Sequence, residues 1–371
     1  MDERLLTEKL IGYDTSSPDG IRLCAGFVKG WLEAREIEAR QLGIRGLPVT
    51  IAEVGPEDAQ ITVLLHGHVD VVPGHPGQFE PRLDGDRLFG RGAYDMKGAL
   101  AGLMLALADL RDQDAVRVRL GIVPDEESEE EVARGGDLLV SEGFIGDFAI
   151  TGEPTDMHIG IAAKGVVAMR LRVEGRAAHG ATPWLGENAI LRAVDVFRAI
   201  QSLPFASRSS ELFDRPSINL GRILGGDALN KVPDICFIDV DVRYLPDQDP
   251  DAILDEVRGI PGATVVSSFK RAPALIDPDS PFVRALGEAA APHHDGEVTS
   301  VGRDGASDAV SFLRAGVPAV EFGPLGAGHH GPEEWVSVAS LASYRRAIVD
   351  FVRHLPQRLA AEDRGERDGG P

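Results

Sequence analysis

Between Ile61 and Asp70 the chain reads Ile-Thr-Val-Leu-Leu-His-Gly-His-Val-Asp, five β-branched or large apolar residues that stop at a cluster of polar groups. A run of that kind fits a strand buried on both faces, the type found in parallel sheets covered by helices. The polar end is where function is expected. Alternate side chains of an extended backbone share a face, so His68 and Asp70 point the same way while Gly67 keeps its own position thin. A carboxylate two residues from an imidazole can orient the ring or hold a water beside it. By itself a His-x-Asp triplet is equally a hydrogen-bonded histidine at a strand end.

The same pattern recurs downstream. Val116 to Val123 reads as a strand ending in Pro124-Asp125-Glu126-Glu127-Ser128, and Phe148 to Thr151 as one ending in Gly152-Glu153-Pro154. Ile21 to Arg40, after a Ser16-Ser17-Pro18 break, reads as one amphipathic helix. A Pro- and Gly-dense crossing from Val72 to Arg91 leads to Lys97–Leu110, so rich in Ala, Leu, Met and Gly that it predicts a helix buried on most sides, with Asp95 at its entrance. Strands separated by helices predict an α/β fold with a mostly parallel sheet between helical layers, in which ligands gather beyond the carboxyl ends of the strands. His68, Asp95, Glu126, Glu127 and Glu153 would share that edge.

From about Lys164 the pattern changes. Val166–Val173 reads as a strand, Asn188–Ser202 as a helix, Ser217–Leu224 and Ile235–Tyr244 as strands, Pro250–Val257 as a helix and Ala263–Phe269 as a strand. That βαββαβ order is the ferredoxin-like arrangement. After Pro273–Pro281 the α/β character returns, with a strand at Val317–Phe322 and a glycine-rich loop carrying His329 and His330. The expected organisation is a catalytic domain in two parts, 1–163 and 274–359, with an inserted domain at 164–273. The charged stretch 360–371 lacks large apolar residues and is expected to be a disordered tail.

At 371 residues the chain has room for two domains, and no run reaches the ~18 apolar residues of a membrane span. A formal charge of -21 with no basic stripe argues against nucleic acid and against anionic membrane surfaces. The start, Met1-Asp2-Glu3-Arg4, lacks the basic-then-apolar order of a signal peptide, and Cys24 and Cys236 stand in no metal-type spacing. A cytoplasmic protein with two free thiols is expected.

One His, one Asp, two adjacent Glu, a further Glu and a late His, each at a strand end, suit divalent zinc, and a bridging carboxylate can hold two ions roughly 3.5–4 Å apart. Hydrolysis is the reaction such a pair performs. Of Glu126 and Glu127, one can ligate and the other can face the attacking water, because adjacent side chains leave an extended backbone in opposite directions.

The combination Gly-His-Val-Asp-Val-Val-Pro (67–73), Gly-Arg-Gly-Ala-Tyr-Asp-Met-Lys-Gly (90–98), Asp-Glu-Glu (125–127), Gly-Glu-Pro (152–154) and His-Gly-Pro-Glu-Glu-Trp (330–335) resembles the M20 metallopeptidases. That family includes succinyl-diaminopimelate desuccinylase, acetylornithine deacetylase and glutamate-releasing carboxypeptidases. The resemblance implies one zinc held by His68 and Glu153, a second by Glu127 and His330, and Asp95 bridging both, with cobalt able to substitute. It further implies Glu126 as general base and acid, Asp70 orienting His68, and a cis peptide after Asp95. In the inserted domain, Gly-Arg-Ala-Ala-His-Gly (175–180) looks like the family segment whose histidine, here His179, reaches the partner subunit's active site. Asn230 and Arg243 look like the family's substrate-binding amide and guanidinium, and an arginine fork suits a substrate carboxylate. On its own, Arg243 is as readily a salt-bridged strand residue.

The resemblance therefore implies a homodimer through an inserted lid or dimerisation domain, and a small-molecule substrate. Two departures bear on that substrate: Ala306 replaces a threonine of several relatives in Gly305-Ala306-Ser307-Asp308, and the segment around Phe79–Pro81 lacks a tryptophan. The expected activity is hydrolysis of an N-acyl amino acid by the desuccinylase or deacetylase type, with an exo-acting carboxypeptidase or dipeptidase as the alternative. A relative that kept the fold but lost the reaction should show a broken ligand set or a missing base, and every position is filled. The other histidines, His66, His75, His158, His293, His294, His329 and His354, read as surface or strand-end residues. His66 shares a face with His68.

Overall fold

The computed structural model describes residues 2–127 and 134–368. They divide into two compact units, one drawn from 1–161, 276–301 and 308–371 and the other from 162–275 and 302–307. Residues 302–307 were expected with the catalytic part but join the second unit. The Lys164 amide donates to the Arg303 carbonyl (3.1 Å) and its ammonium pairs with Asp304 (2.7 Å).

The first unit is built on a sheet. Seven of its nine strands are β1 (Ala39–Ile44), β2 (Leu47–Val54), β3 (Thr62–His68), β4 (Arg117–Val123), β5 (Phe148–Thr151), β6 (Ile159–Ala163) and, late in the chain, β11 (Ala319–Glu321), in the spatial order β1-β2-β4-β3-β5-β11-β6. The central neighbours β4, β3, β5 and β11 are parallel, and β3 is buried from Val63 to His68. β1 and β2 form an antiparallel hairpin whose two-residue turn, Arg45-Gly46, takes positive φ at both positions (50° and 75°), the geometry that matches strand twist.

The helix expected over Ile21–Arg40 is α2, Pro18–Glu33, capped by Ser17 and opened by a proline at its first turn. It ends early because Glu36 adopts φ 61°. Ile37 then donates back to the Leu32 carbonyl (3.2 Å) and drops into the core, and the chain leaves as β1. On one face of the sheet α4 (Gly135–Ser141) and α8 (Ala309–Arg314) cover Val49, Ile51, Leu64 and Ala319 through Leu139 and Phe312. The helix α3 (Gly98–Asp109), buried from Gly98 to Leu107, packs on α9 (Val338–Asp368), with Gly102 so close to the Tyr344 ring that a methyl group would lie 2.7 Å from it.

The helix α9 runs to Asp368 and so takes in part of the stretch 360–371. Ala360 and Ala361 are strong helix formers and extend a helix already anchored by packing; residues 369–371 lie outside those described. No helix among the described residues is long and apolar enough to cross a membrane. Cys24 and Cys236 are free and buried.

The second unit has the order β7 (Gly165–Glu174), α5 (Ala189–Ile200), β8 (Ser217–Gly225), β9 (Ile235–Tyr244), α6 (Pro250–Arg258), β10 (Ala263–Arg271), paired antiparallel as β8-β9-β7-β10. Alternation builds its core. Val167, Met169, Leu171 and Val173 of β7 and Cys236, Ile238, Val240 and Val242 of β9 share one face, against Ala193, Val196 and Ile200 of α5 and Ile253, Leu254 and Val257 of α6. Each fully buried Val, Leu or Ile contributes roughly 1.5–3 kcal/mol, which a charge placed at the buried Val240 would forfeit.

Candidate metal centre

β3 delivers His68 at the sheet's carboxyl edge, 1% exposed, and the ring is held at both nitrogens. Its Nδ1 lies 2.9 Å from the Asp70 carbonyl oxygen, while Nε2 faces Asp95 Oδ1 (3.2 Å) and Glu153 Oε1 (3.6 Å). Asp70 thus orients the ring chiefly through its main chain, its nearer carboxylate oxygen standing at 3.5 Å. That carboxylate accepts from the amides of Glu126 (3.2 Å) and Glu127 (2.8 Å), fixing the turn after β4.

Across the site His330, at φ 62°, brings Nε2 to Glu127 Oε1 (2.8 Å) and Asp95 Oδ2 (3.5 Å). The two oxygens of Asp95 therefore face different histidines. Asp95 lies in an irregular turn ahead of α3 and its peptide to Met96 is cis. Met96 fills the space between β3 and β5: a methyl group at Gly67 or Gly152 would lie 2.6 or 2.5 Å from its Cε.

Among the described residues two groups can hold a cation, His68 with Asp95 and Glu153, and Asp95 with Glu127 and His330, the ligand atoms of each within 4.8 Å of one another. The chemistry of this set fits zinc, which takes imidazole and carboxylate. Glu153 Oε1 is also buried with no hydrogen-bond partner, an acceptor that a cation would satisfy.

Charge crowding points the same way. Burial pushes the carboxyls of Glu126 and Glu153 well above the usual range, reinforced by Asp308 for the first and Asp95 for the second, and opposed in both by His68. Burial would lower His68, yet its hydrogen bonds with Asp70 and Asp95 hold it well above normal; contacts with Asp95 and Glu127 push His330 up to about 10. Burial would raise Asp95, but His330 and His68 together hold it low. An acidic cluster that forces protons onto its histidines is one in which divalent cations would compete with those protons.

Glu126 belongs to neither group. Its side chain is 17% exposed, and Arg134 donates through Nη1 to its carbonyl (2.7 Å), with the carboxylate at 3.5 Å and Asp308 Oδ1 at 3.4 Å. His66, read as an ordinary strand-end residue, is completely buried, with Nδ1 3.1 Å from Thr151 Oγ1 and Nε2 3.9 Å from Asp308 Oδ2. Burial lowers it to about 4 against the pull of Asp308, so it is neutral near pH 7.

Three predicted residues lie in the second unit. His179 is exposed, its Nδ1 accepting from the Ala181 amide (3.0 Å), and it bridges to Lys231 beside Asn230, whose carbonyl accepts from Gly180 (2.7 Å). Arg243 is half-buried and pairs through Nε with Asp241 (2.9 Å). Sequence reasoning missed Glu334, which is 1% exposed and bonded to Arg91 and three main-chain amides. Its signal was available: an acid beside the strand starting at Trp335, inside a motif already singled out.

Known proteins resemble this chain in sequence and in fold. The model of peptidase family M20/M25/M40 matches residues 64–354. A succinyl-diaminopimelate desuccinylase of Erythrobacter litoralis is 31% identical over 311 residues, covering 79% of this chain and 80% of that protein. An acetylornithine deacetylase of Shigella sonnei is 28% identical over 314 residues, with the same coverage of 79% and 80%. In fold, an M20 metallo-carboxypeptidase of Sulfolobus solfataricus superposes with a TM-score of 0.78 at 21% identity, over 96% of this chain and 100% of that one. A tripeptidase of Staphylococcus aureus gives 0.79 at 19%, over 95% and 97%. The chain belongs to peptidase family M20/M25/M40 and is a hydrolase of that metal-dependent group.

Proposed function

We propose that the chain is a di-zinc amidohydrolase that cleaves the amide bond of an N-acyl amino acid, of the desuccinylase or deacetylase type. The observation that carries this reading is Asp95, whose two carboxylate oxygens face His68 and His330 from one buried turn. His68 and Glu153 would hold one ion, Glu127 and His330 the other, and Asp95 both; cobalt would serve in place of zinc. Bound there, the ions polarise the scissile carbonyl and make the attacking water more acidic.

The protein's own residues do the rest. Glu126, outside both ligand groups and buried so that its carboxyl is unusually basic, takes the proton from water as oxygen adds to the carbonyl carbon. It returns that proton to the nitrogen as the C–N bond breaks. Asp70 orients His68 and, through the amides of Glu126 and Glu127, sets the base beside its neighbouring ligand.

Asn230, Arg243 and His179 are assigned to substrate, Arg243 with its Nη atoms as the end offered to a carboxylate. His179 would act in a homodimer through the second unit, where Trp184 (75% exposed), Leu191 (64% exposed) and the fully exposed Leu229 are apolar side chains that such a dimer could cover. The test strips the protein with a chelator, reloads it with zinc or cobalt and offers N-succinyl and N-acetyl amino acids beside peptides ending in glutamate. Metal-dependent release of amine from the acylated amino acids is expected. Cleavage of the glutamate peptides alone would make it a carboxypeptidase, and full activity in protein shown metal-free by elemental analysis would end the mechanism.

A further inference from the structure

Glu334 carries a carboxylate into a place where a carboxylate is costly. It is 1% exposed, and both burial and the nearby Asp95 charge raise its carboxyl above the usual range. Four donors compensate: Arg91 Nη1 (2.8 Å) and the Gly92 amide (3.0 Å) on one oxygen, the Tyr94 and Asp95 amides (both 3.0 Å) on the other. Arg91, itself 4% exposed, also reaches the His330 carbonyl through Nη2 (3.3 Å). The pair therefore ties the turn that carries Asp95 to the loop that carries His330.

The surrounding backbone repeats that tie. The Gly90 amide donates to the Glu334 carbonyl (3.0 Å), and Trp335–Ser337 pairs antiparallel with Arg87–Phe89. Gly92 must be glycine here, since φ is 79° and a Cβ would lie 2.7 Å from Val71 Cγ1. The turn's bonds toward the other two ligands are single ones, Tyr94 Oη donating to Asp156 Oδ1 (2.7 Å) three residues past Glu153 and the His68 amide donating to Met96 Sδ (3.4 Å), while His68 and Glu153 stand on β3 and just beyond β5 and are placed by the sheet itself.

We infer that Glu334 and Arg91 are positioning residues that set Asp95 against His330, and so govern the cation site of Asp95, Glu127 and His330 more than that of His68, Asp95 and Glu153. A buried ion pair is weak support for stability and is best kept for geometry, which is its use here. The inference rests on the two-cation reading proposed above.

The test is zinc binding by the full-length protein. Arg91→Lys keeps the charge but cannot fork between Glu334 and His330, and Glu334→Gln keeps the shape but turns an amide against donors. Metal per chain is followed by equilibrium dialysis against chelator-buffered zinc, with circular dichroism to show that each variant is folded. The expected result is one equivalent held as tightly as in the parent and the other weakened by about 10–100-fold, the usual effect of losing an outer partner of a metal ligand. In parallel, kcat at low free zinc should fall and recover with excess zinc while KM stays put. Arg91→Lys should be the milder of the two. Parental affinity at both sites, or equal weakening at both, would overturn the inference. If both variants fail to fold, the pair is structural and the inference also fails. The parent protein, measured alongside, separates the two claims: two equivalents bound without hydrolysis of any amide would refute the proposed function alone, and fewer than two would refute both.

Discussion

Exchanging each of the two adjacent glutamates for glutamine should produce opposite defects. Glu126 has no place in either ligand group, and its contacts are with Arg134, whose Nη1 bonds its carbonyl and stands 3.5 Å from its carboxylate. Glutamine preserves that shape and those contacts, so Glu126→Gln should keep both cations and lose only proton transfer. The expected drop in kcat is ~10²–10⁴, the worth of general acid–base catalysis, or about 2.7–5.4 kcal/mol of transition-state stabilisation at roughly 1.36 kcal/mol per tenfold. Glu127 instead faces His330 at 2.8 Å, and Glu127→Gln removes a charge from the ligand shell. It should lower the zinc content of the dialysed protein before it lowers turnover per bound pair of ions. Elemental analysis and kcat at saturating zinc, measured on the same samples, distinguish the two. Should Glu126→Gln release an ion while the remaining sites turn over normally, the two roles are reversed and the assignment of the base is wrong.

Two further outcomes are expected. Asp70→Asn leaves one of the Glu126 and Glu127 amides facing an NH2 donor and the other with only a neutral acceptor, so urea unfolding should show a loss of ~1.5–3 kcal/mol together with a lower kcat; a variant as stable as the parent would show that those bonds do not hold the turn. His179→Ala and Glu126→Ala should each be nearly inactive, yet co-refolded mixtures should recover about a quarter of parental sites through heterodimers, and verified heterodimers with no recovery would place His179 outside the partner's site.

The parts of this fold that could be read from the sequence are those in which local pattern and tertiary environment agree. β3 and β5 are continuous apolar runs because both their faces are covered, and the acid or imidazole that ends each run marks the edge where ligands collect. β7 and β9 alternate because one face is core, so Val167–Val173 and Cys236–Tyr244 declare their period directly. The first hairpin was hidden for the opposite reason. Residues 34–40 carry a pattern that suits a helix, and only the left-handed turn at Glu36 and the pairing of Ala39 with Ala52 make them a strand.

The candidate site divides along the same line. A ligand can be recognised by type and by its place at a strand end, since His68 and Glu153 need only the sheet to reach the edge. The groups that aim those ligands are defined by contacts between distant segments: Asp70 meets amides 56 and 57 residues away, and Glu334 binds Tyr94 and Asp95 across 240 and 239 residues. Such a residue looks like any acid until its donors are known, because its sequence neighbours do not share its bonds. Asp70 shows the consequence. Its spacing from His68 suggested a carboxylate oriented on the ring; the carbonyl oxygen is the nearer partner (2.9 Å against 3.5 Å for the carboxylate), and the carboxylate also serves the turn that holds Glu126 and Glu127. One residue thus links the position of a ligand on β3 to that of the base after β4, two strands that are parallel neighbours. The arrangement explains why these strand ends belong together: each end supplies a reactive group, and the acids between them fix the distances on which a shared pair of ions would depend.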